Sequence, residues 1–115
     1  MLLAKTMINY EQFQQIEIRI GKILSAEKVP ETDKLLKLSV DFAEGAPRQI
    51  ISGIAFHYPD PQTLVGVKCA FVTNLEPRII RGLESQGMIL AVSADAGQFS
   101  LFSVSQDIPE GTRAK

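Results

Sequence analysis

From Ile16 onward the apolar positions fall on every second residue: Ile16, Ile18 and Ile20 alternate with Glu17 and Arg19, the period of a half-buried strand. The same period returns at Leu36, Leu38, Val40 and Phe42 against Lys37, Ser39 and Asp41. It returns again at Val67, Cys69 and Phe71 against Lys68, Ala70 and Val72. Ala43 to Pro47 reads as a turn into a third strand, Arg48 to Gly53, and Met88 to Val92 is a nearly continuous apolar strand. Asn9 with Gln12 three residues later predicts a reciprocally capped helix running to about Gln15. Asp60 before Pro61 predicts a single helical turn. Gly21 is where the first strand can bulge or coil sharply. Val29 to Asp33, Asp95 to Gly97 and Pro109 to Gly111 are turn signals, the middle one leading into Phe99–Phe102.

Five main strands with a helical turn between the third and fourth predict an all-β, five-stranded barrel of the oligonucleotide/oligosaccharide-binding (OB) type. A short N-terminal helix and a C-terminal β extension complete it. A β-sandwich of this size would not require the helical turn. Residues 8–115 are expected to form one domain, and residues 1–7 a disordered lead-in.

Composition narrows the function. The chain has 115 residues, 45% hydrophobic and 22% charged, with no biased run, which suits an ordinary globular domain. No stretch nears the roughly 20 apolar residues of a membrane span, so no membrane partner is expected. A single cysteine, Cys69, rules out an internal disulfide and points to a reducing cytoplasm. The net charge of −1 gives no bulk attraction for nucleic acid, so any anion site must be local. Lys68, Arg78 and Arg81 against only Glu76 make one basic segment, and Lys34 with Lys37 a smaller one.

Catalysis has little to build on. His57 is the only histidine, so no histidine cluster for zinc can form. It is read as a packing or hydrogen-bonding residue. Cys69, mid-strand with Val67 and Phe71, reads as a buried, inert thiol. The thirteen acids are scattered beside basic neighbours, and no glycine-rich phosphate loop occurs. No catalytic residue, metal or cofactor is expected.

A binding surface fits better. Between the fourth and fifth strands, Asn74-Leu-Glu-Pro-Arg78-Ile-Ile-Arg81-Gly-Leu-Glu-Ser85-Gln-Gly-Met88 holds two arginines and several amide and hydroxyl groups. Arginine forks suit phosphates. Asn74, Ser85 and Gln86 suit ribose hydroxyls or base edges, and Met88 is a soft contact for a sugar or base. An ordinary polar hairpin, with Asn74 and Ser85 capping its own backbone, is the bland account of the same residues.

Five ordered motifs, Ile18-Arg-Ile-Gly-Lys-Ile23, Asp33-Lys-Leu-Leu36, Ile51-Ser-Gly-Ile54, Asn74-Leu-x-Pro-Arg78 and Glu84-Ser-Gln-Gly-Met88, together resemble one family. It is the tRNA-binding domain found at the C-terminus of bacterial methionyl-tRNA synthetases and as free-standing tRNA-binding proteins. The resemblance runs from about Ile8 to Lys115. It implies a non-catalytic OB module that recognises the shape of tRNA through positions matched here by Lys34, Asn74, Arg78, Ser85 and Met88. Arg81 joins them on its own chemistry. Relatives often carry lysine where this chain has Ile79. The resemblance also implies a homodimer, built here from Phe13, Ile16, Phe99, Leu101 and Phe102. The alternative is a dimeric secretion-type chaperone of the same fold, binding unfolded peptides.

Overall fold

A computed structural model describes residues 6–115; residues 1–5 of the expected lead-in lie outside the described residues. Helix α1 (Tyr10–Gln14) opens on the expected capping box: the Asn9 side chain accepts from Gln12 N–H at 2.8 Å, and Gln12 Oε1 accepts from Asn9 N–H at 2.9 Å. None of its residues is buried.

The first strand is much longer than its alternation suggested. β1 (Ile18–Lys28) pairs antiparallel with β4 (Lys68–Val72) over Ile18–Lys22, and with β2 (Leu36–Asp41) over Lys22–Lys28. Its two halves therefore serve opposite edges, which lets a short sheet curl. The register shift falls between Ile23 and Ser25, not at Gly21. Gly21 stays in the strand opposite Cys69, and a Cβ there would stand 2.5 Å from Val40 Cγ1 and 2.6 Å from Phe42 Cε1. Close packing across the curl, not a bulge, is what requires glycine there.

β3 (Arg48–Ser52) pairs with β2, and β7 (Met88–Ile89) with β4, giving the order β3-β2-β1-β4-β7. The third strand leads into two 3-10 turns, Ala55–His57 and Pro61–Leu64, the second capped by Asp60 as expected. This is a nearly closed OB-like barrel around Ile23, Leu36, Leu38, Val40, Ile50 and Phe71, with the Phe42 and Phe71 rings edge-on at 5.2 Å. The segment read as a loop is itself a hairpin, β5 (Arg78–Ile80) and β6 (Leu83–Ser85). The expected fifth strand breaks at Leu90, and its second part, β8 (Ala91–Ser93), pairs with β9 (Phe99–Leu101).

β4 corrects the expected alternation: all five of its residues are buried. The chain after β9 covers its outer side. Ala70 N–H donates to Phe102 O, and Val104 N–H to Lys68 O. Further on, Ile20 N–H donates to Thr112 O, and Ala114 N–H to Ile18 O. The tail thus occupies strand edges that would otherwise be open. Lys68 is 7% exposed, and its ammonium donates to Gln106 O and Ile108 O at 2.7 Å and pairs with Glu110 at 3.0 Å. A buried charge must be satisfied in this way, so Lys68 leaves the basic surface.

Glu17 ties three segments together. Its carboxylate accepts from Arg19 Nε at 2.8 Å and Thr73 Oγ1 at 2.7 Å, while Arg19 Nη1 donates to Gly111 O. The Arg19 hydrogen bond, then that of Thr73, holds the Glu17 pKa at about 2, below its ordinary 4.5. A depressed carboxylate stabilises the fold fully above the unfolded value and loses that contribution as pH falls through the folded one. Urea unfolding at pH 7 and near pH 2 is expected to show about 1–2 kcal/mol of acid-sensitive stability from this group. Glu17→Gln should remove that part of the pH dependence.

Candidate nucleic-acid interface

The hairpin is set on the barrel by side chains standing in for a ladder. Ile51 N–H donates to Ser85 Oγ at 3.0 Å, Gln49 N–H to Gln86 Oε1 at 2.9 Å, and Gln86 N–H to Gln49 O at 2.8 Å. Gln49 Nε2 reaches Glu84 O. At Gly87, whose φ is 157°, a Cβ would crowd Val72 O at 3.1 Å and Ile50 Cδ1 at 3.2 Å. The Glu84-Ser-Gln-Gly-Met88 string is therefore first a closure of the barrel.

Arg48 completes that closure. Its Nη1 donates to Thr73 O at 2.6 Å and Gln86 O at 3.1 Å, at the two ends of the excursion that carries the hairpin. Glu44 holds the other side of the guanidinium, which lies 5.4 Å from the centre of the Phe42 ring. Nothing near Arg48 in sequence signals this, since its carbonyl partners lie 25 and 38 residues away.

The expected site residues divide into two groups. Ser85 is 3% exposed, with its hydroxyl spent on Ile51 N–H and Gly87 O. Asn74 uses both ends of its amide, accepting from Glu17 N–H and donating to Gln15 O. Both hold the backbone, closer to the bland account than to ligand contact. Lys34, Arg78, Arg81 and Met88 are exposed. Among the described residues, none of the three cations forms an ion pair, whereas Lys37 pairs with Glu27.

The tip of the hairpin is a two-residue turn, Arg81-Gly82, between the paired Ile80 and Leu83. Both residues have positive φ, 53° and 79°, which gives the turn that matches strand twist. Glycine adopts it freely; an arginine there costs about 1 kcal/mol. Arg81 and Ile80 face Lys34 and Leu35 across a cleft of about 350 Å³. Glu31 and Asp33 line the same cleft, so its positive charge is local to two side chains. Met88 lies at the foot of the hairpin, opposite Val72.

The residues considered for catalysis sit elsewhere. Cys69 is fully buried, and burial pushes its thiol pKa up to about 12. His57 stacks on Phe99 with ring centres 3.8 Å apart. Among the described residues, no group of three or more His, Cys, Asp or Glu comes together to hold a metal.

The profile of the family described as "Putative tRNA binding domain" matches residues 18–113. The chain belongs to the tRNA-binding domain family. Within it, this tRNA-binding domain is 47% identical over 108 residues to the methionine–tRNA ligase of Bacillus subtilis (strain 168), covering 94% of this chain and 16% of that enzyme. It is 42% identical over 109 residues to the ligase of Deinococcus radiodurans, covering 95% and 16%. The domain thus spans about one-sixth of the length of these relatives. Among solved structures it is similar to a MetRS related protein from Pyrococcus horikoshii, with a TM-score of 0.89 and 36% identity, covering 96% of this chain and all of that one. The chaperone CsaA of Bacillus anthracis str. Ames matches at a TM-score of 0.82 and 29% identity, again over 96% of this chain and all of that one.

Arg48→Met keeps an apolar stem over Phe42 but deletes the donors to Thr73 O and Gln86 O. It is expected to cost about 2 kcal/mol in urea unfolding. Amide exchange at Gln86 and Met88 should quicken more than in β2.

Proposed function

We propose that this domain binds tRNA as a non-catalytic module that adds affinity, either as a free-standing protein or as part of a methionyl-tRNA synthetase. The observation that carries this function is a braced hairpin presenting Arg78 and Arg81, with Lys34 beside its tip, all exposed and without ion pairs among the described residues. Guanidinium and ammonium groups held on a rigid support suit backbone phosphates. Met88 is the apolar contact beside them. Asn74 and Ser85 act by holding the backbone that carries the contacts. The domain works in a reducing cytoplasm, in keeping with its single buried thiol.

The domain functions as a homodimer. Its N-terminal helix buries none of its own residues, and Tyr10, Phe13 and Ile16 remain 66%, 36% and 45% exposed, with Phe102 at 47%. Leu101 does not belong to this face: β9 turns it into the core, where it is 8% exposed. Phe99 is half-buried against His57 and Tyr58 and contributes at most its edge.

Bulk tRNA should bind the wild type with a log K against log salt slope of about −0.7 to −0.9 for each phosphate contact. Arg78→Ala/Arg81→Ala should abolish that binding with the melting temperature preserved. Equal affinity would reject the hairpin as the site, and peptide binding without tRNA binding would favour the chaperone function. Arg81→Asn separates charge from geometry, because asparagine suits the positive-φ turn. Stability should rise by about 0.5–1 kcal/mol while tRNA affinity falls.

A further inference from the structure

A second cleft, of about 400 Å³, adjoins that of Lys34 and Arg81; the two share Thr32 and Asp33. Its distinctive wall is Phe56, 70% exposed although its neighbour Ala55 is buried. Two anchors hold the 3-10 turn carrying this ring. Ala55 N–H donates to Lys34 O at 2.9 Å, so the turn is bonded directly to the loop that carries Lys34 beside Glu31 and Asp33. On the other side His57 stacks on Phe99. The backbone that carries Phe56 is therefore anchored to that of Lys34, and the ring lines its cleft together with Lys28.

Building on the tRNA binding proposed above, we propose that Phe56 is a stacking platform for an unpaired nucleobase. The phosphate attached to that base would lie toward Lys34 and Arg81. A flexible nucleotide strand joins these two chemistries, a flat apolar face and a charged backbone, at the spacing of adjoining clefts. Stacking is tolerant of sequence because every base has a π-face. With the backbone beneath it anchored, the ring has only its own side-chain torsions to lose on binding. An RNA duplex keeps its bases stacked internally and cannot use the platform.

Phe56→Ala is expected to weaken tRNA binding by about 5- to 150-fold, with the melting temperature and salt slope unchanged. Phe56→Trp supplies an optical reporter, since the chain has no tryptophan of its own. Its emission should be quenched by tRNA and by a single-stranded oligoribonucleotide, but not by a blunt RNA duplex. Unchanged tRNA affinity in Phe56→Ala, or unquenched emission at saturating tRNA, would overturn the platform. The arginine hairpin would then still stand if Arg78→Ala/Arg81→Ala abolished binding. Absence of tRNA binding by the wild type would remove both proposals together. An emission change with an unfolded polypeptide but not with RNA would replace the nucleobase by a peptide ligand.

Discussion

The surface that this domain offers depends on how β3 is joined to the return of the chain after the arginine hairpin. One edge of β3 is satisfied by β2. The other meets Ser85 to Gly87, where a hydroxyl, a carboxamide and the Arg48 guanidinium supply most of the bonds. Barrel closure by side chains gives a joint whose geometry is set residue by residue. Arg48 grips both ends of the excursion with one nitrogen, so the hairpin leaves the barrel from a fixed base. The same planar fork that elsewhere recognises phosphate is used internally here as a brace.

Charge is divided along the same lines. Arg19, Arg48 and Lys68 are committed to carboxylates and carbonyls inside the domain, and Lys37 is neutralised locally. Lys34, Arg78 and Arg81, exposed and without ion pairs among the described residues, face solvent around one cleft and one hairpin. A molecule with a net charge of −1 can therefore still present a cationic spot, because short-range contacts, not the total, govern where a polyanion settles.

Features with local causes were legible in the sequence: the Asn9 and Gln12 cap, the Asp60–Pro61 turn and the alternation of β2. Features caused by distant chain were not. The even burial of β4 needs a tail whose bonds to it come from Phe102 and beyond. Gly21 was readable as a bulge or a sharp coil, but not as a close-packing position, because its neighbours Val40 and Phe42 are about twenty residues away in the chain. Ser85 and Asn74 were readable either as ligand contacts or as backbone caps, because hydroxyls and amides read the same whether they face RNA or backbone; their backbone bonds span the fold. Leu101 looked like interface because nothing in Phe99-Ser-Leu-Phe102 says which side faces inward. The motif resemblance supplied the family, and the coordinates add the backbone bonds that Ser85 and Asn74 make.

One carboxamide reinforces a joint that Thr73 already makes with Glu17. Asn74 starts the excursion bearing the arginines, yet its side chain grips Gln15 and Glu17 where the N-terminal helix enters the barrel. Anything that seats or tilts that helix therefore pulls on the root of the cationic hairpin. Linkage is reciprocal: a ligand that favours one pose of the hairpin must favour the matching pose of the helix by the same free energy. The entry of the helix and the root of the hairpin are thus one mechanical joint, made by two neighbouring residues, Thr73 and Asn74.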